Sequence, residues 1–264
     1  MSTIGQQSFW QLQLRATHTL AYKEIRRILR IWKMSVMPPL INTYLFCIIF
    51  GKILGSKIGL IAGISYLKFI VPGLIMNIIV IESFNNVASS MMIEKYHHAI
   101  DDISMSPMHP FAILIGYCAG GIFRALISGL VTAVLAFWLA GALIQHPLMF
   151  IYTFLVTSIA FSLFGMIVGL HATKFDEIPT IPTFILTPLA FFAGTFYDIR
   201  RLPSPWQELS WLNPIAYMVD TFRYSTYGVT FHSIYLGLAV ITGLALLLFI
   251  IAYGLLVTGY GLRK

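Results

Sequence analysis

Phe69-Ile-Val-Pro-Gly-Leu-Ile-Met-Asn-Ile-Ile-Val-Ile-Glu-Ser-Phe-Asn-Asn-Val-Ala-Ser-Ser-Met-Met92 decides the fold. A bilayer core of about 30 Å is crossed by roughly 20 apolar residues in a helix. This run supplies them, interrupted only by Glu82 and the polar pair Asn85 and Asn86. Five further segments meet or approach the same requirement. They are 35–50, with Pro38 and Pro39 near its start, 111–144, 147–169, 178–196, with Pro179, Pro182 and Pro188, and 234–257. The third span, 111–144, is too long for one perpendicular crossing and must tilt, kink or protrude, with Gly120 and Gly121 as bend points. Gly116-x-x-x-Gly120 and Gly165-x-x-x-Gly169 let helix backbones approach closely.

Composition agrees. The chain is 58% hydrophobic and 10% charged, with mean hydropathy +0.82, net charge +7 and pI about 9.4. A soluble domain carries about 25% charged residues. Basic balance in such a chain points to the anionic inner leaflet of a membrane rather than to nucleic acid. Cys47 and Cys118 lie in apolar runs and are expected to be buried free thiols. The first residues lack a continuous apolar core and a small-residue cleavage site, so the first span is expected to act as an uncleaved signal.

Lys and Arg counts orient the spans. With the N-terminus inside, the inner segments hold Arg15, Lys23, Arg26, Arg27, Arg30, Lys33, Lys95, Lys174, Arg263 and Lys264. The outer ones hold Lys52, Lys57, Lys68, Arg200, Arg201 and Arg223. Ten against six favours both termini in the cytoplasm.

Residues 1–34 precede the transmembrane domain, 35–264. Within them Ile25, Ile28, Leu29 and Trp32 mark one helix face, and Lys23, Arg26, Arg27 and Arg30 another. Such a basic amphipathic helix lies in the membrane interface, in contact with lipid; it is also compatible with a basic stop that orients the first span. Between the second and third spans, Tyr96, Ile100 and Ile103 fall at helical spacing beside Glu94 and the acidic pair Asp101 and Asp102, and Pro107 and Pro110 end the pattern. A short helix with a greasy face on the cytoplasmic side is a docking element for a partner, or packs on this chain's own helices. Segment 198–233 is an external helical hairpin, able to dip back into the membrane. Ser204-Pro205-Trp206-Gln207 and Asn213-Pro214 are cap-plus-proline starts. Ile215, Met218, Val219 and Phe222 form a stripe, with Asp220 and Arg223 at i, i+3.

No catalytic constellation is present. There is no G-x-S-x-G, no H-E-x-x-H, no paired-cysteine metal spacing and no phosphate loop. Glu82 and Arg124 lie inside spans, at about 2.5–3.5 kcal/mol each on insertion scales, and each needs a partner or a wet cavity. Counted from the apolar starts of their spans, both lie about 13 residues in, or roughly 20 Å. Because the two helices run in opposite directions, that count separates the groups by roughly 10 Å in depth and favours snorkelling or cavity lining over a direct pair.

These features together resemble the type-2 ABC exporter permeases, and among them the YadH-like inner-membrane permeases. The resemblance is carried by Phe69-Ile-Val-Pro-Gly-Leu-Ile-Met76, Asn86-Val-Ala-Ser-Ser90, Phe175-Asp-Glu-Ile178, Pro182-Thr-Phe-Ile-Leu-Thr-Pro188, Leu212-Asn-Pro214 and Phe222-Arg-Tyr224. It implies a homodimer of permeases with two copies of a separate ATP-binding subunit, which would hold the ATP and Mg. It also implies a coupling helix at 94–106 and export of an amphiphilic, glycan, lipid or drug-like substrate. Glu82 has no counterpart that the resemblance supplies. An ion-coupled carrier using Glu82 is the competing reading, and a structural or insertion-assisting membrane protein a third. Reporters fused after Lys264 or within 94–110 are expected to read cytoplasmic, and one within 198–233 external; a cytoplasmic 198–233 segment overturns the six-span count.

Overall fold

The computed structural model describes residues 9–97, 108–141 and 144–259, almost all of them helical. The order is α1 (Phe9–Arg30), α2 (Trp32–Phe46) running on through a π-helical stretch (Cys47–Leu54), and α3 (Gly55–Ile58). A two-residue β-hairpin follows, Leu60–Ile61 with Ile64–Ser65, then α4 (Tyr66–Tyr96) and α5 (Pro110–Ala140). After these come α6 (Pro147–His171), α7 (Glu177–Ile181), a π-helical stretch (Pro182–Leu186) and α8 (Thr187–Phe192). The chain closes with a 3-10 turn (Ile199–Arg201), α9 (Trp206–Leu212), α10 (Pro214–Tyr227) and α11 (Ile234–Thr258). The hairpin turns at Ala62 and Gly63, both at positive φ, the geometry a tight two-residue β-turn requires. It is a small departure from the expected all-α fold.

Among the described residues, five helices are long and apolar enough to cross a membrane: Trp32–Gly51, Tyr66–Tyr96, Pro110–Ala140, Pro147–His171 and Ile234–Thr258. The segment Glu177–Phe192 is apolar but shorter. Its flanks nevertheless reach opposite ends of α4. Lys95, in the last turn of α4, donates to the carbonyl of Ala172 at 3.1 Å, whereas Tyr66, at its first residue, donates to that of Phe196 at 2.9 Å.

Helix α4 is the axis of the bundle, and glycines let its neighbours reach it. A Cβ on Gly165 of α6 would lie 2.5 Å from the Phe84 carbonyl oxygen, and one on Gly169 would lie 2.7 Å from Met91 Cβ. On α5, a Cβ on Gly116 would meet Leu20 of α1 at 2.6 Å, and one on Gly120 would meet Glu24 at 2.7 Å. The second small-residue pair thus receives α4, while the first receives α1. Helix α5 runs unbroken through Gly120 and Gly121, so these glycines serve close packing and not bending. It stops at Gly141 in the left-handed region, φ 60, and at 31 residues, about 46 Å, it still exceeds one perpendicular crossing without bending at the glycines.

Prolines inside apolar helices leave carbonyls without a donor, and each such group must be met from elsewhere where water is absent. Pro39 has no N–H to give the Ser35 carbonyl, and the Ser128 hydroxyl of α5 donates to it at 3.0 Å. That bond seats α2 on α5. The end of α8 shows the same logic. Asn213 Nδ2 donates to the Leu189 carbonyl at 2.6 Å, the Thr195 hydroxyl to Ala190 at 2.9 Å and the Tyr197 hydroxyl to Phe192 at 3.1 Å. Cys47 and Cys118 are buried and free.

If the contact of Gly165 with the Phe84 backbone sets the α4–α6 distance, Gly165→Ala must force two backbones apart, an overpacking cost of about 1–3 kcal/mol. Its melting temperature in detergent is expected to fall clearly. Gly243→Ala on α11, where nothing lies within 4 Å, is expected to leave it unchanged.

Candidate functional site

A stripe of polar side chains crosses the apolar interior at four-residue spacing along α4: Glu82, Asn86, Ser90 and Glu94, all buried. Four residues is about one turn, so the stripe stays on one face of the helix. Helices α1 and α5 bring its partners, in rungs.

Nearest the end of α4, Glu94 accepts from both Lys23 of α1 and the Tyr117 hydroxyl of α5. The next rung is enclosed. Ser90 donates to Glu24 Oε1 at 2.6 Å. Arg27 reaches Glu24 Oε2 at 2.9 Å and both the backbone and side-chain oxygens of Asn86 at 3.0 Å. Glu24 is fully buried. Burial pushes its carboxyl above the ordinary carboxylate range, against the opposing pull of Arg27 and the Ser90 hydroxyl. In the third rung Arg124 Nε donates to Glu82 at 2.6 Å. Three acids meet three bases, so the ladder is electrically balanced.

The Glu82–Arg124 pair corrects the expectation of two groups at different depths. Helix α4 runs on to Tyr96 and α5 begins at Pro110. Glu82 is fourteen residues from the first of these points and Arg124 fourteen from the second, both about 21 Å along their axes. Counting from the ends of the apolar runs, and not from the helix ends, produced the false offset.

Helix α1 has three faces where the sequence suggested two. Gln13, Leu20, Glu24 and Ile28 are buried, lying side by side with the first half of α5, where Gln13 also accepts from the backbone N–H of His109 at 2.8 Å. Of the expected apolar stripe, Ile28 faces inward, while Leu29 and Trp32 are exposed. Of the expected basic face, Arg26 and Arg30 are exposed, but Arg27 turns in to the ladder.

Glu94 and Tyr96 form the last turn of α4 and do not open a separate helix, because nothing between Met92 and Tyr96 breaks the span. Glu94 faces the ladder, whereas Tyr96 is exposed and packs edge-on against Phe175 at 5.5 Å. Ile100, Asp101, Asp102 and Ile103 lie outside the described residues.

At the opposite end, Asn213 caps α10 by accepting from the Ile215 N–H at 3.0 Å, with Pro214 in the first turn. Ile215, Met218, Val219 and Phe222 are all buried. Arg223, 1% exposed, donates to the carbonyls of Phe69 and Gly194 and stacks on the Phe69 ring at 4.0 Å. Asp220 lies 3.7 Å from Arg223 and accepts from Thr230 and from the backbone of Phe231 and His232. Burial raises the Asp198 carboxyl, but the bonds from Arg200 outweigh it and hold the group below its ordinary range. Ser204 does not cap α9 as expected. The chain turns one residue later, so Pro205 takes the cap position and the Trp206 N–H bonds Pro203.

Sequence reasoning missed Glu24, Ser90 and Tyr117. A signal existed for the first two. Glu24 is the one acid in the basic N-terminal stretch, and the polar residues of α4 repeat every four positions.

Five helices long and apolar enough to cross a membrane, with ion pairs inside the bundle they form, define a multi-pass membrane protein. Residues 15–227 match the family described as ABC-2 type transporter, and the chain belongs to that family. Over 244 residues it is 40% identical to the inner membrane transport permease YadH of Escherichia coli strain K12, covering 92% of this chain and 94% of that protein. It is 25% identical over 205 residues to nodulation protein J of Sinorhizobium fredii, covering 75% and 78%. It is 23% identical over 244 residues to nodulation protein J of Rhizobium leguminosarum, covering 88% and 91%.

Breaking the enclosed rung should release α1. Arg27→Met leaves Glu24 buried without its base, a loss of about 3–5 kcal/mol for a buried pair. Lys23, half exposed, is worth about 1 kcal/mol at most. Hydrogen exchange of the amides of α1 is expected to quicken sharply in Arg27→Met and little in Lys23→Gln.

Proposed function

We propose that this chain is the membrane-spanning half of an ATP-driven exporter. Two copies assemble with two copies of a separate ATP-binding subunit, which holds the ATP and Mg. The cargo is an amphiphilic, glycan, lipid or drug-like molecule. In this reading Glu177–Phe192 with its flanks is the fifth of six spans, both termini are cytoplasmic, and 198–233 is an external hairpin set back into the membrane. The N-terminal helix touches lipid with its exposed apolar residues.

The observation that carries the proposal is the ladder. It ties α1 to the last turn of α4, where the chain departs into 98–107 with its apolar and acidic residues. Force applied there by a docked subunit reaches α1 through Glu94 and Lys23, and the interior through Tyr117. Exposed Tyr96 and Phe175 add an aromatic surface beside the same departure point. Membership in the ABC-2 family implies an ATP-binding partner of this kind, and the permease relative from Escherichia coli is a transport protein by name. The competing carrier reading needs Glu82 available to a coupling ion. Its engagement by Arg124 speaks for a fixed pair.

Two variants test this. Ile100→Asp puts an unpaired charge on the proposed docking face and is expected to reduce co-purification of the ATP-binding subunit at least tenfold, without loss of membrane insertion. Undiminished recovery removes the docking assignment. In reconstituted vesicles, Glu82→Gln is expected to keep ATP-dependent transport. Gradient-driven transport without ATP that the substitution abolishes would restore the carrier.

A further inference from the structure

Arg124 is held by one nitrogen. Its Nε bonds Glu82, and among the described residues no acceptor takes either terminal nitrogen. The side chain is nevertheless 15% exposed. One turn before it on α5, Gly120 is covered by Glu24 of α1; one turn after it, Ser128 is bonded to the Ser35 carbonyl of α2. Arg124 therefore faces the corner at Ile31, φ −110, where α1 gives way to α2.

Donor groups facing hydrocarbon are costly, and an accessible guanidinium in a span requires water or an anion. Its free edge presents two parallel N–H donors, the geometry that matches a phosphate or carboxylate. We propose that Arg124 binds the oxyanion of an amphiphile entering sideways from the bilayer at the α1–α2 corner, while Glu82 holds Nε and fixes the plane of the guanidinium. Phosphate, sulfate and carboxylate headgroups share this chemistry. The source is either the transported molecule or a resident anionic phospholipid, and the first of these rests on the exporter reading above. Glu82 also offsets part of the positive charge, so that a bound anion can leave again.

The test begins with the permease alone, so it can fail while coupling to the ATP-binding subunit stands. The protein is placed in nanodiscs of phosphatidylcholine with phosphatidylglycerol added, and retained lipid is counted by native mass spectrometry. Arg124→Gln is expected to lower phosphatidylglycerol retention about tenfold, the scale of one charge-assisted hydrogen-bonded contact. Arg124→Lys keeps the charge without the fork and falls part of the way. Glu82→Gln removes the competing charge and is expected to raise retention, a gain that loss of a merely structural pair would not produce. If Arg124→Gln does not fold, the opposite directions of Arg124→Lys and Glu82→Gln decide the matter. Equal retention by wild type and the folded variants overturns the proposal. A second arm adds dodecyl phosphate to the complex with its ATP-binding subunit. Stimulated ATP hydrolysis that Arg124→Gln abolishes assigns the site to cargo; displacement of phosphatidylglycerol without stimulation assigns it to a resident lipid.

Discussion

The rule that a polar group surrounded by hydrocarbon needs a partner sets how the helices of this molecule meet. Three acids and three bases meet along one face of α4, and the positions of α1 and α5 follow from those meetings. Helix α1 is too polar to be drawn into the bundle by apolar burial. It is held by Leu20 and Ile28 and by the rung of Glu24 and Arg27. Glycines at 116 and 120 are what let that rung close, since a side chain at either would lift α1 away. The same rule places α2 through the Ser35 carbonyl and holds the hairpin through Arg223.

Such a ladder joins mechanical stiffness to electrical neutrality. Paired charges inside a low-dielectric bundle gain little net stability over an apolar core, but separating one pair is expensive. The helices so joined therefore move together or not at all. Two structural levels meet at Glu94: it closes the interior rung, and two residues later the chain reaches the exposed edge at Tyr96. The bonds of Glu94 to Lys23 and Tyr117 join that edge to α1 and α5.

Five of the six expected spans were legible in the sequence because hydropathy is a local property, and the cap at Asn213 because it depends on a few adjacent residues. The ladder was only half legible. Its α4 side repeats every four residues and stands in plain view, whereas its partners are 23 to 71 positions away, and only the packing of helices sets which pairs meet. The depth of Glu82 and Arg124 was misjudged for a physical reason: apolar runs end before helices do, so the ends of hydropathy are not the ends of geometry. Arg27 was assigned to the exposed face because periodicity recognises two faces of a helix, and α1 has three. Ser204 shows the remaining limit, since a cap motif in sequence is satisfied or displaced by how the preceding turn happens to close.

The sealed end of α8 bears on the order in which the protein can be made. Three of its final carbonyls are met by Asn213, Thr195 and Tyr197, and the Gly194 carbonyl by Arg223. All of these lie downstream of the helix whose end they close. A growing chain that has just delivered Phe192 to the membrane has none of them in place, and the segment is too short and too proline-rich to rest comfortably in lipid by itself. Its stable seating waits for the hairpin to emerge and fold back. On the six-span reading proposed above, insertion of this part of the protein is a joint event of 177–192 and 198–233, with the later-synthesised element acting as the clasp for the earlier one.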